Sequence, residues 1–226
     1  MDAMLHLGTL LAVVVFFWGD LWRLLRAAIK SLRRGSLADP DARVAWGLVI
    51  ATVPAVITGL LLEATFERLF GMPKAAAGFL LGTAFLLTVA EYVGTRVRPI
   101  TSLSWLDALV IGLAQALAIA PGLSRSGATI AAAMLLGFRR EDATRFSFLL
   151  SVPITLGSGL YQAIGLLNTA AGPIPWGSIL AGMGAAFAAG YLAIASLLAL
   201  VRRQSLRGFA FYCALLGVLV LTGVLG

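Results

Sequence analysis

Apolar runs alternate with short polar and basic breaks along the whole chain. Eight runs stand out: 3–18, 45–62, 75–90, 105–120, 128–138, 146–167, 176–201 and 209–225. A helix that spans a bilayer needs roughly 17–25 residues. The runs at 45–62, 146–167, 176–201 and 209–225 meet that length, and those at 3–18 and 75–90 reach it with flanking residues. The pattern predicts an all-α fold, a polytopic bundle of membrane helices forming a single domain over 1–226.

Two runs fall short. The run 105–120 has 16 residues, about 24 Å of helix at ~1.5 Å per residue, and 128–138 has 11, about 16 Å. Between them stand Pro121-Gly122 and the polar string Ser124-Arg125-Ser126-Gly127. This predicts a broken, re-entrant hairpin over 105–138. Irregular backbone at membrane depth is tolerated only where it is buried in protein or lines a wet cavity.

The loop charges test the hairpin. Six basic residues lie between the first two runs: Arg23, Arg26, Lys30, Arg33, Arg34 and Arg43. Arg96 and Arg98 precede the hairpin, Arg139, Arg140 and Arg145 follow it, and Arg202, Arg203 and Arg207 precede the last run. If 105–138 returns to the side it left, 14 of the 17 basic residues fall on one side, the cytoplasmic one by the positive-inside rule. A single straight crossing would break that pattern. The hairpin tip then points towards the outer face.

Composition agrees. Hydrophobic residues make up 60% of the chain and charged residues 12%, with a mean hydropathy of +0.97. Soluble domains carry about 25% charged residues, so bilayer lipids are the expected surroundings. The net charge of +7 comes from basic clusters between apolar runs, which argues against a nucleic-acid partner. The lone Cys213 reads as a small buried apolar residue, and no CxxC or His-rich cluster suggests zinc. Small residues such as Gly182-Met183-Gly184-Ala185-Ala186 read as close helix packing. The N-terminus lacks the charged region and cleavage site of a signal peptide, and its apolar run opens as though in mid-element.

Chemistry concentrates at the hairpin tip. An arginine at the centre of a membrane helix costs about 2.5 kcal/mol or more. No acid occurs within 116–138 to pair Arg125, which points to a ligand anion. Gly122 and Gly127 permit close backbone approach, while Ser124, Ser126 and Thr129 offer hydroxyls. The second half-helix presents its free N–H groups to the same place, and the planar guanidinium matches phosphate geometry. The competing reading is that Ser124 and Ser126 cap the helix and Arg125 snorkels to an interface. Gln115 is the other polar candidate, open between ligand contact and a helix–helix hydrogen bond. His6, Glu91 and Asp107 read as packing or structural residues.

The string Gln115-Ala-Leu-Ala-Ile-Ala-Pro121-Gly-Leu-Ser-Arg-Ser-Gly-Ala-Thr129 closely resembles the second signature of the undecaprenyl-diphosphate phosphatase family, the bacitracin-resistance type. The likeness extends to Phe146-Ser-Phe-Leu-Leu-Ser-Val-Pro153 and Leu5-His-Leu-Gly-Thr-Leu-Leu-Ala12. It implies an inverted-repeat fold in the bacterial plasma membrane, with two hairpins meeting near the outer face. The implied activity is hydrolysis of a polyprenyl diphosphate lipid to the monophosphate carrier of cell-wall synthesis. Arg125 and Ser124 would be catalytic, and Gln115, Gly122, Ser126, Gly127 and Thr129 would bind substrate. A divalent cation, Mg or Ca, is the implied cofactor, and a homodimer is a candidate assembly.

The family's first signature, a Glu-x-x-x-Glu followed by Pro-x-Ser-Ser-x-Gly-His, has no counterpart here, so no metal ligand is identifiable in this chain. The first re-entrant repeat is expected upstream of residue 1. Three readings fit: a longer natural protein, a truncated relative without catalysis, or a partner chain supplying the hairpin. A lipid-diphosphate binder or transporter is therefore the alternative function. The other lipid-phosphatase superfamily requires a histidine after its Ser-Arg pair, and none follows Ser124-Arg125.

Overall fold

The computed structural model describes residues 2–169 and 176–224. The described chain folds into ten α-helices in order: α1 Asp2–Phe16, α2 Trp18–Arg34, α3 Pro40–Leu61, α4 Glu63–Phe70, α5 Pro73–Val93, α6 Trp105–Leu117, α7 Arg125–Leu135, α8 Arg140–Thr169, α9 Trp176–Arg203 and α10 Arg207–Leu221. No β-strand forms among the described residues.

Local sequence sets several boundaries. Asp39 caps α3 by accepting from the Asp41 N–H at 3.0 Å, and Pro40 opens the helix where its missing N–H has no intrahelical role. Pro73 opens α5 in the same way. Gly35 ends α2 in the left-handed conformation, φ 60°.

By length and composition α3, α5 and the 179–203 part of α9 can each cross a membrane. The helix of the last run, α10, has 15 residues, fewer than the run that predicted it. The stretch expected as a basic loop after the first run is instead helix α2, bent 77° from α1 at Phe17. Its apolar and basic positions interleave at helical spacing, so it shows no continuous apolar run.

The helices pair as α1 with α9, α3 with α6, and α5 with α10, while α7 touches α5, α6 and α8. The small-residue string 182–186 takes part in a close approach of α1 and α9 only in part: a Cβ on Gly8 would stand 2.6 Å from the Met183 carbonyl oxygen and 3.0 Å from the Ala186 Cβ, whereas Gly184 has open space around it. The core joins Phe17, Leu87, Ile111, Met134, Phe138 and Phe146. Large side chains such as Leu61, Phe85, Leu192 and Phe211 cover the outside, a surface suited to acyl chains rather than water.

The four basic loops gather at one end of the bundle. The Arg98 N–H donates to the Gly137 carbonyl, and the Arg139 N–H to the Arg98 carbonyl, both at 2.9 Å. Helices α6 and α7 therefore bring the chain back to the end it left. Arg98 also donates to Asp107 at 2.8 Å and to the Leu136 carbonyl at 2.8 Å, tying the start of α6 to the end of α7. Asp107 completes a capping box with Ser104. Glu91, 2% exposed, accepts from Arg96, from Arg140 and from the Leu206 N–H, joining the ends of α5, α8 and α10. Arg145 meets Asp20, and Arg202 meets Glu141. Glu91 and Asp107 thus hold the structural roles read from their places at run ends.

Candidate functional site

The break between α6 and α7 is a compact turn. Gly122 has φ 88°, and a Cβ there would run into the Ala76 carbonyl of α5, so glycine answers both backbone and space. Thr83 of α5, fully buried, accepts from the Ser124 N–H at 2.9 Å, and its hydroxyl shares its proton between the Phe79 carbonyl at 3.3 Å and the Gly122 carbonyl at 3.4 Å. One threonine thereby anchors both sides of the turn to a spanning helix.

Ser124 is the N-cap of α7. Its Oγ accepts from the Gly127 N–H at 3.1 Å and stands 3.4 Å from the Ser126 Oγ. Arg125 is the first residue of α7, which begins three residues before the apolar run that predicted it. The first N–H groups of a helix have no partner within it, so those of Arg125 and Ser126 are directed outwards with the positive end of the helix dipole.

The Arg125 guanidinium makes no hydrogen bond or ion pair among the described residues. It lies between two cavities. One, about 360 Å³, is lined by Arg125, Ser126, Thr9, Ser147, Ser151 and Thr155 together with apolar residues of α1, α8 and α9. The other, about 450 Å³, is apolar, lined by Val56, Leu60, Ile119, Pro153, Ile154 and neighbours, with Glu63 the single carboxylate on its wall. The side chain is exposed to these spaces and is not folded back to a carbonyl, unlike Arg98.

The other sequence candidates separate. Ser126 lines the hydroxyl-rich cavity. Thr129 is buried and donates to the Arg125 carbonyl at 2.9 Å, and its Oγ1 lies 2.7 Å from the Ser147 Oγ of α8. It fixes the first turn of α7 and holds Ser147 at the cavity wall. Gln115, 1% exposed, donates to the Ala51 carbonyl of α3 at 3.2 Å and lines neither cavity. Of its two open readings, this geometry is the helix–helix hydrogen bond. Gly127 is packed against Ser124 and Thr83. His6 lines neither cavity.

Sequence reasoning missed Thr83, Ser147 and Ser151 as site residues. The signals were present: Thr83 is a polar residue inside an apolar run, and Ser147 and Ser151 stand four apart, on one face of α8. Among the described residues no three His, Cys, Asp or Glu side chains come together as a metal site. The residues around Arg125 do not form a cation ligand set by themselves.

These features define a class: a multi-pass, all-α membrane protein with a broken helix whose arginine has no ion pair among the described residues. Within that class the chain belongs to the bacitracin resistance protein BacA family, whose model matches residues 1–219. It is 44% identical over 220 residues to an undecaprenyl-diphosphatase of Rubrobacter xylanophilus, a match covering 97% of this chain and 81% of the relative. It is 41% identical to one of Geotalea daltonii, over 97% and 82% of the two chains. A third, of Chromohalobacter salexigens, is 39% identical over 99% and 83%.

Proposed function

We propose that the protein hydrolyses undecaprenyl diphosphate to the monophosphate and inorganic phosphate, recycling a carrier lipid of the bacterial cell envelope. The observation that carries this reading is the Arg125 guanidinium, without an ion pair among the described residues, between a hydroxyl-lined cavity and an apolar one. A lipid diphosphate has the matching halves. Its charged head meets Arg125, Ser126 and the α7 N-terminus, and its isoprenoid chain leaves along Val56, Leu60 and Ile154.

In the reaction a water or serine oxygen forms a bond to the distal phosphorus as the anhydride P–O bond breaks and the lipid monophosphate departs. Arg125, through its planar fork, neutralises charge that builds on the phosphoryl oxygens. Ser124 shapes the cradle as N-cap and brings its hydroxyl beside that of Ser126. A divalent cation stays an expectation of the family likeness. Among the described residues no cluster of His, Cys, Asp or Glu forms its ligand set.

The basic end of the bundle supports an orientation with that end in the cytoplasm of the plasma membrane. The α6–α7 hairpin then enters the bilayer from the inside, and its tip faces outwards. The test is phosphate release from undecaprenyl diphosphate by purified Arg125→Ala. Removing a donor to a developing oxyanion costs about 10²–10³ in turnover, and a loss of about 10² with unchanged membrane insertion is expected. Unchanged turnover refutes the assignment. Lipid-diphosphate binding by the wild-type protein without any phosphate release favours the non-catalytic binder or transporter.

A further inference from the structure

Helix α2 has three distinct faces, and the hydrolytic site uses none of them. Leu24, Ala27 and Ser31 are buried against α3, where the Trp46 indole N–H donates to the Ser31 hydroxyl at 3.0 Å. Trp18, Trp22, Leu25, Ile29 and Leu32 follow the spacing 4, 3, 4, 3, which keeps one stripe along a helix of ~3.6 residues per turn. Every member of that stripe is exposed, Trp18 at 63% and Leu32 at 68%. Next to it runs a third face bearing Arg23, Arg26, Lys30, Arg33 and Arg34.

The placement of this helix suits a membrane surface. It turns 77° away from α1, a helix of the membrane bundle. A helix in that plane can sink its apolar stripe among acyl chains while its basic face stays at headgroup level. The stacked indoles of Trp18 and Trp22, 6.5 Å apart, belong at that level too.

Four of the five charges on the basic face find no counter-charge among the described residues. Arg23 is held by Asp20 and Asp41, and Asp20, the one acid of α2, is also bound by Arg145. Arg26 covers the Trp22 ring at 4.9 Å. Arg26, Lys30, Arg33 and Arg34 make no ion pair among the described residues. With Ile29 these four line one cavity of about 330 Å³. Four cations and one apolar side chain therefore meet at the seam between the basic and apolar faces. The carbonyl end of α2 lies nearby and disfavours an anion, but it amounts to about half a charge against four full ones.

We infer that this seam is a binding site for an anionic phospholipid of the cytoplasmic leaflet. Its phosphate is held by Arg26, Lys30, Arg33 and Arg34, and its acyl chains run along Ile29 and the exposed stripe. The site lies on the helix that joins α1 to α3, shares no lining residue with the two cavities at Arg125, and rests on the membrane placement and not on the hydrolytic chemistry.

Native mass spectrometry of the detergent-purified chain, titrated with phosphatidylglycerol or phosphatidylcholine, tests it. The wild-type protein should retain phosphatidylglycerol in preference. The triple variant Lys30→Gln, Arg33→Gln, Arg34→Gln should lose about tenfold or more of that retention, since each basic residue near an anionic surface contributes several-fold. Its phosphatidylcholine retention should not change. Equal phosphatidylglycerol retention in the two proteins overturns the inference, as does a wild-type protein with no preference. Should the variant fail to fold, the wild-type protein answers through salt: the preference should weaken steeply as ionic strength rises, and a flat response overturns the inference. Displacement of the lipid by inorganic phosphate beyond that caused by chloride at equal ionic strength would show an anion site without lipid character and also overturn it. Phosphate release from undecaprenyl diphosphate, measured on the same samples, reports the Arg125 reading separately.

Discussion

Two sets of arginines in this protein solve the same electrostatic problem in opposite ways. At the basic end, Arg96 and Arg140 converge on Glu91, Arg98 closes on Asp107, and Arg145 on Asp20. Each of these four guanidiniums has its counter-charge within the chain. At the α6–α7 break, Arg125 has none among the described residues. The first set joins helix ends that are remote in sequence. The second leaves a charge for something that arrives from outside. An arginine that completes its own pairing is available for architecture, and one that does not is available for a ligand.

The sharpest way to break this contrast is to exchange the expected phenotypes. Glu91→Ala strands two arginines at one end of α5 and should lower stability by about 3 kcal/mol, as breaking a buried pair does. Thermal unfolding in detergent would show it, while phosphate release by the surviving folded protein should fall little. Arg125→Ala should do the reverse, with unfolding unchanged and turnover lost by about 10². If Arg125→Ala instead melts early and Glu91→Ala does not, the division of labour is wrong.

Smaller changes sharpen the comparison. Thr83→Val keeps the volume but removes the hydroxyl that holds Gly122 and Ser124. A buried hydrogen bond lost on one side costs about 1–3 kcal/mol. The expected result is a modest fall in melting temperature and a larger fall in turnover, because the turn that aims Arg125 is released. Equal effects on both would make Thr83 a packing residue only. Gln115→Leu should cost least, since hydrogen bonds between membrane helices average about 0.6 kcal/mol. Turnover close to wild type is expected. A hundredfold loss would return Gln115 to the substrate.

Part of the site was legible early because it is local. Ser124, Arg125, Ser126 and Gly127 are consecutive, so a helix start, its cap and its cation are written in one string. Thr83 and Ser147 were not legible as partners of that string. They lie 41 residues before Ser124 and 18 residues after Thr129, and no pattern in an apolar run announces which hydroxyl will face a distant turn. Gln115 shows the converse. A polar residue near the motif looked like a ligand contact, and its nearest acceptor proved to be the Ala51 carbonyl of a neighbouring helix.

The sequence by itself determined the lipid-facing, all-α character of the protein, the break at Pro121–Gly127 and the segregation of basic loops. Each of these follows from the cost of placing charge or unbonded backbone in hydrocarbon, a cost that depends on local composition alone. Only the tertiary structure decided which arginines are neutralised, which hydroxyls share a cavity with Arg125, and that residues 18–34 form a helix bent away from α1. Those outcomes depend on distances between helices far apart in the chain, and burial or pairing of a side chain is a property of what packs against it.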